Sequence, residues 1–160
     1  REKFGHGHGK DFLTVGSMGH ASMIALGIAL EKRERLICCF DGDGALLMHM
    51  GSMAILGASA PSNLLHILIN NGAHETVGGI PTVSKYVEYG EIAKACGYKN
   101  IFCACDLLEI EESLKKARSV SGPSFLEIRT NLFSRKNLGR PTTTPVENKE
   151  AFMTFLEEAL

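Results

Sequence analysis

The stretch LICCFDGDGALLMHMG (residues 36–51) decides how this chain folds. Leu36–Phe40 is a continuous apolar run of strand length, the pattern of a strand buried on both faces of a parallel sheet. ALLMHMGSMAILGA (residues 45–58) reads as one helix beginning near Ala45, with Gly57 as its stop. Gly42-Asp43-Gly44 is the turn between them. Leu64–Ile69 is a second buried strand, and it ends on Asn70-Asn71. Ligands of open α/β sheets collect beyond the carboxyl ends of the strands. Asp43 and the Asn pair are therefore expected on one edge of one sheet, on neighbouring strands.

The same alternation extends outward. Asp11–Val15 is predicted as a short strand, and His20–Glu31 as a helix whose Ala21, Ala25 and Ala29 allow close packing on a sheet. Glu88–Gly97 is a short helix closed by Gly97, and residues 100–104 are a strand. Asp106 stands three residues before Glu109 in a capping-box-like start, and Leu107, Ile110, Leu114 and Ala117 share a face of the helix that follows. Ser124–Arg129 is a last strand. After Pro145, Phe152, Phe155, Leu156 and Ala159 fall on one helical face. Strands alternating with helices predict an α/β fold, a parallel sheet with helices on both faces. Two irregular stretches, residues 70–85 and 131–145, are long enough to carry function.

Composition narrows the classes. With 160 residues, 44% hydrophobic, the chain can bury a real core as one domain. A formal net charge of −1 argues against a broad nucleic-acid surface. No apolar run approaches a membrane span. Five cysteines, with no Cys-x-x-Cys pair, read as thiols in a reducing, cytoplasmic compartment, with Cys38 and Cys39 buried in their strand. The first residue is Arg1 and the last segment still reads as helix, so a domain cut from a longer chain, or a processed subunit, is expected.

Asp43 poses a chemical conflict. A turn that opens a helix presents free N–H groups and a positive dipole end, an anion site. A carboxylate there would repel a phosphate unless a cation stands between them. Mg²⁺ fits, because it takes oxygen ligands and shares its shell with phosphates and water. Asp43 and Asn71 offer two such oxygens, so the chemistry reads as Mg²⁺ with a diphosphate.

Gly42-Asp43-Gly44, 25 intervening residues and Asn70-Asn71 resemble the diphosphate-binding motif of thiamine diphosphate enzymes. The resemblance implies thiamine diphosphate and Mg²⁺ as cofactors, with Asp43, Asn71 and the Ala73 carbonyl on the metal. It also implies diphosphate contacts from Gly42, Gly44 and Ala45, with His74 and Glu75 following in the same loop. GSMG (residues 16–19) resembles the loop that bends this cofactor, Gly16 offering its carbonyl, Ser17 following and Met18 serving as the apolar wedge. Residues 5–30, 42–45, 70–82 and 134–142 together resemble the phosphonopyruvate decarboxylase family, with sulfopyruvate decarboxylases next.

The implied reaction is decarboxylation of 3-phosphonopyruvate to phosphonoacetaldehyde, in phosphonate biosynthesis. The resemblance covers only the diphosphate-binding domain. A pyrimidine-binding domain of the same or another subunit, carrying the activating glutamate, is an implied partner, and so is a homo-oligomer. The chain by itself is expected to be inactive. His20 and His74, with Met18, are the expected catalytic positions. His6, His8, Lys10, Arg135, Lys136 and Arg140 are further candidates for the phosphonate, while His49 and His66 read as structural. Two other readings compete: a phosphate- or nucleotide-binding domain without catalysis, and an assembly module that has lost its cofactor. The first lacks a Walker-type loop or G-x-G-x-x-G, and the second is weakened by Asp43, Asn71 and Met18 occurring together.

Overall fold

Four parallel strands carry the fold of the computed structural model, which describes residues 9–139 and 141–158. They are β1 (Ile37–Gly42), β2 (Leu64–Asn70), β5 (Asn100–Ala104) and β6 (Ser124–Arg129), arranged β1-β2-β6-β5. Two short strands, β3 (Ala73–His74) and β4 (Ile80–Pro81), form a small antiparallel pair in the loop beyond β2. The chain divides into two compact units, residues 18–133 with the sheet, and residues 1–17 with 134–160.

In the larger unit, helices α1 (Ala21–Glu31), α2 (Asp43–Met48), α3 (Ser52–Ser59) and α4 (Tyr89–Cys96) contribute to one hydrophobic core. Ala25 and Ala29 of α1 pack there with Cys39, Leu64, Leu68 and Phe125 of the sheet. Helix α5 (Leu107–Ser119) covers the other face, where Ala117 meets Leu65, Ile67, Leu126 and Ile128. The sheet is thus covered on both faces, as alternating strands and helices require. Asp106 caps α5 by accepting from Glu109 N at 2.9 Å, and Gly97 closes α4 with φ +102°.

Three expectations about the elements are corrected. Asp11–Val15 forms no strand; Leu13 N donates to Asn148 Oδ1 and Asn148 Nδ2 donates to the Asp11 carbonyl, so a side-chain amide takes the bonds a neighbouring strand would take. Asn148 lies on α6 (Pro145–Glu157), where Phe152 packs on Phe12 with centroids 5.7 Å apart. The single helix expected from Ala45 is two, α2 and α3, because His49 leaves helical backbone. Gly57 is interior to α3, where a Cβ would lie 1.8 Å from the Cys96 carbonyl oxygen; its role is close packing on α4. The stop is Ala60 in left-handed backbone, followed by Pro61.

Cys38 is exposed, although Cys39 is buried, because β1 is an edge strand and α5 packs over β5 and β6. Leu107 is likewise exposed, whereas Ile110, Leu114 and Ala117 face the core. Ala159 lies outside the described residues. Among the described residues no helix is long and apolar enough to cross a membrane.

One polar chain crosses the larger core. His66 of β2 is fully buried between Asp41 Oδ2 and the Tyr98 hydroxyl, each 2.9 Å from a ring nitrogen. Both nitrogens are thereby satisfied, which is what permits an imidazole there. Burial and the neighbouring Asp41 push the Cys39 thiol far above its ordinary value.

Candidate functional site

Gly42 of β1 stands in register with Ile69 of β2. Asp43 and Asn71 therefore sit just past the carboxyl ends of adjacent parallel strands, on one edge of the sheet. Asp43 is the first residue of α2 and only 1% exposed.

Burying a carboxylate requires donors, and the loop after β4 supplies them. Thr82 Oγ1 and Ser84 Oγ each donate to Asp43 Oδ2 at 2.6 Å. The Ser84 amide donates to Thr82 Oγ1 at 3.2 Å, and the Tyr89 hydroxyl lies 2.7 Å from Ser84 Oγ. With Tyr89 donating to Ser84, each of the three hydroxyls gives its one proton once and the network closes. Burial first, and then the charges of Asp43 and Glu127, push the Tyr89 phenol up. None of Thr82, Ser84 and Tyr89 was legible as a site residue. They carry no periodic signal and meet Asp43 from about forty residues away in sequence.

The two asparagines divide their work. Asn70 Nδ2 donates to the buried Glu127 Oε1 at 2.8 Å, and Asn70 Oδ1 accepts from Gly72 N at 3.1 Å. Glu127 also takes Arg129 Nε at 3.1 Å, and that carboxylate raises the Arg129 guanidinium further. Asn71 Oδ1 accepts from Ala73 N at 3.1 Å, while its Nδ2 donates to Glu75 Oε2 at 3.0 Å. Asn70 thus ties the turn to β6, and Asn71 shapes the turn itself. Ala73 is buried in the β3–β4 pair.

Gly44 explains how the two loops meet. A Cβ there would lie 2.3 Å from His74 Nδ1, so the His74 ring rests against the bare first turn of α2. Gly19, at φ +88°, makes a second close approach; a Cβ there would lie 2.6 Å from the Ala45 carbonyl oxygen and 2.7 Å from His49 Cδ2. The structure thereby gathers Gly42, Asp43, Gly44, Ala45, Asn71, Ala73, His74 and Glu75 around one end of α2, with Gly19 against it. Met18 is partly exposed beside Gly19.

Gly16 and Ser17 belong to the smaller unit, as do Lys10, Arg135 and Lys136. Lys10 Nζ lies 5.4 Å over the Phe155 ring. His6, His8 and Arg140 lie outside the described residues.

Beside the His74 imidazole, the donors around α2 are oxygens: a carboxylate whose Oδ1 stands outside the hydroxyl pair, an amide oxygen with a second lone pair, and backbone carbonyls. Such a set suits a hard divalent cation, and the first turn of α2 adds backbone N–H groups suited to phosphate oxygens.

Comparison with known proteins fits this geometry. Residues 6–128 match the family described as thiamine pyrophosphate enzyme, C-terminal TPP binding domain. A phosphonopyruvate decarboxylase of Streptomyces viridochromogenes is 38% identical over 91% of this chain, which spans 36% of that protein's length. A sulfopyruvate decarboxylase β subunit of Methanococcus maripaludis is 32% identical over 93% of this chain, which spans 79% of the subunit. In fold, 72% of the chain superposes on 20% of transketolase from Campylobacter jejuni, with a TM-score of 0.61 at 19% identity.

Proposed function

Because the chain belongs to the thiamine pyrophosphate enzyme family, as its C-terminal TPP-binding domain, we propose that it is the diphosphate- and metal-holding part of a 2-oxoacid decarboxylase acting on 3-phosphonopyruvate. The observation that carries the reading is the buried Asp43, fixed by Thr82 and Ser84 at the opening of α2 and placed one strand from Asn71. The relatives' names supply the substrate class.

In this reading Asp43, the Asn71 amide oxygen and the Ala73 carbonyl hold Mg²⁺, and N–H groups at Gly44 and Ala45 bind the diphosphate. Thr82 and Ser84 take Asp43 Oδ2 and so aim Oδ1 at the cation, a rigid orientation of the kind that outer partners give metal-binding carboxylates. Met18 supports the bend of the cofactor. Thiamine diphosphate, when bound, supplies the electron sink on which a 2-oxoacid loses CO₂. The His74 ring, seated against Gly44, covers the first turn of α2. The glutamate that activates the aminopyrimidine comes from a pyrimidine-binding domain of the same or a partner subunit, so the chain alone is inactive.

A second substrate reading has its own support. A sulfopyruvate decarboxylase β subunit is 32% identical to the chain, against 38% for the phosphonopyruvate decarboxylase. In that reading the substrate is sulfopyruvate and the pyrimidine-binding domain is a separate partner. Assaying CO₂ release from each keto acid by the chain assembled with its pyrimidine-binding domain, with thiamine diphosphate and Mg²⁺, tests both. Faster turnover of 3-phosphonopyruvate supports the first reading, and faster turnover of sulfopyruvate the second. Release from neither rejects the decarboxylase assignment.

A further inference from the structure

His49 does not behave as the structural residue its helical position suggested. It leaves helical backbone between α2 and α3, and its ring lies against that of His20, with centroids 4.1 Å apart and planes tilted by 55°. Both rings line an open cavity of about 440 Å³, together with Gly19, Met23, Met48 and Ser52. That size suits a small substrate.

The cavity is built by the same backbone that builds the cofactor site. Gly19 forms part of its wall and closes against the Ala45 carbonyl and His49; Ala45 follows Gly44 in the first turn of α2. Ser22 and Ser52, whose hydroxyls are 3.1 Å apart, lock α1 to α3 behind it. The cavity thus opens at the C-terminal end of α2, with Gly19, one residue from Met18, in its wall.

Its chemistry is selective. No residue lining the cavity is a carboxylate, and the first turns of α1 and α3 carry no acid. The polar groups facing it include two imidazoles, which donate N–H bonds when neutral and gain a charge and another donor when protonated. Met23, Met48 and Ile55 make the remaining surface apolar. An uncharged methyl group would leave the imidazoles without an acceptor, whereas a tetrahedral oxyanion offers several acceptors to rings held side by side.

We propose that His20 and His49 together bind the terminal oxyanion, phosphonate or sulfonate, of the 2-oxoacid substrate, and so set specificity against pyruvate. The proposal rests on the decarboxylase reading above for the identity of the substrate. The imidazole pair is a binding and positioning device and takes no part in the bond that breaks.

The test uses the assembled holoenzyme and two readouts. The first is kcat/KM for 3-phosphonopyruvate, sulfopyruvate and pyruvate in wild type, His49→Gln and His20→Gln. Each variant should lower the ratio of the preferred anionic substrate to pyruvate at least tenfold, chiefly through KM, and His49→Arg should restore part of it. The second readout does not depend on turnover: NMR of ring-labelled histidines titrated with 3-phosphonopropionate or 3-sulfopropionate, which lack the keto group. The His20 and His49 signals should shift, and the analogue should bind at least tenfold more weakly to His49→Gln.

If the rings respond to the analogues but no keto acid is decarboxylated, the decarboxylase reading fails and the oxyanion subsite stands. If 3-phosphonopyruvate or sulfopyruvate is turned over while the ratio and both ring signals stay unchanged, the subsite is overturned and the decarboxylase reading stands. Comparing the two analogues distinguishes a phosphonate from a sulfonate subsite.

Discussion

Ser84 Oγ donates to Asp43 Oδ2 at 2.6 Å across 41 residues of chain, with both side chains buried. The same hydroxyl lies 2.7 Å from that of Tyr89. Ser84→Ala removes one donor from a buried carboxylate and leaves Thr82 as its other hydroxyl partner. A hydrogen bond to a charged group contributes about 1.5–3 kcal/mol, so the variant should lose stability in that range. Urea unfolding at constant m-value measures it. Thr82→Val should cost a similar amount, and the double variant should depart from additivity because the two hydroxyls share one acceptor atom.

The seat of His74 on Gly44 makes a second prediction. Gly44→Ala places a Cβ inside the ring, which must move or push the 73–74 strand from α2. Overpacking of this kind costs about 1–3 kcal/mol. His74→Ala in the same background should recover most of that loss, in a double-mutant cycle read by chemical denaturation. Equal losses with and without the imidazole would mean the glycine is needed for its backbone and not for the ring.

Beneath the site, His66 spans Asp41 and Tyr98 with no exposed surface. Asp41→Ala removes the acceptor at Nε2 and leaves an unsatisfied ring nitrogen in the core, at about 2–4 kcal/mol. His66→Leu removes the imidazole itself and should cost less when made in the Asp41→Ala background than in wild type. Unfolding free energies of the four proteins decide this; independent losses would contradict the hydrogen-bonded chain.

Alkaline pH should weaken the fold through the buried phenols. Burial raises Tyr89 and Tyr98 above the ordinary tyrosine value, while in the unfolded chain both titrate near pH 10. A group raised on folding contributes stability fully present below the unfolded value and lost as pH rises through the folded value. The unfolding free energy should therefore fall with pH above about 10, and Tyr89→Phe should shallow that slope. An unchanged slope would place the loss elsewhere.

Much of this arrangement was legible in the sequence, for physical reasons. A continuous apolar run identified β1 and the largely apolar residues 64–69 identified β2, and the positions of Asp43 and Asn71 after these two runs put them on one edge of the sheet. Asp106 and Gly97 announced the start of α5 and the end of α4 because caps are local chemistry. What escaped was non-local. Asp11–Val15 has strand composition, but the Asn148 amide takes its backbone bonds. Gly57 looked like a helix stop, and only the Cys96 carbonyl behind it shows why the residue is bare. Thr82 and Ser84 could not be found as partners of Asp43, nor Tyr89 as the partner of Ser84, because a hydroxyl carries no pattern that names its partner. His49 sat in a helical pattern, and its ring contact with His20 appears only once the chain breaks between α2 and α3.

The central claim is that a divalent cation held by Asp43 and Asn71 grips the diphosphate. Calorimetric titration of the assembled protein with thiamine diphosphate, with Mg²⁺ and with chelator, tests it most directly, in wild type and in Asp43→Asn. The account predicts tight binding by wild type that requires Mg²⁺, and an affinity for Asp43→Asn lowered at least a hundredfold and indifferent to the metal. Equal affinity in both proteins, or equal affinity with and without Mg²⁺ in wild type, would contradict it.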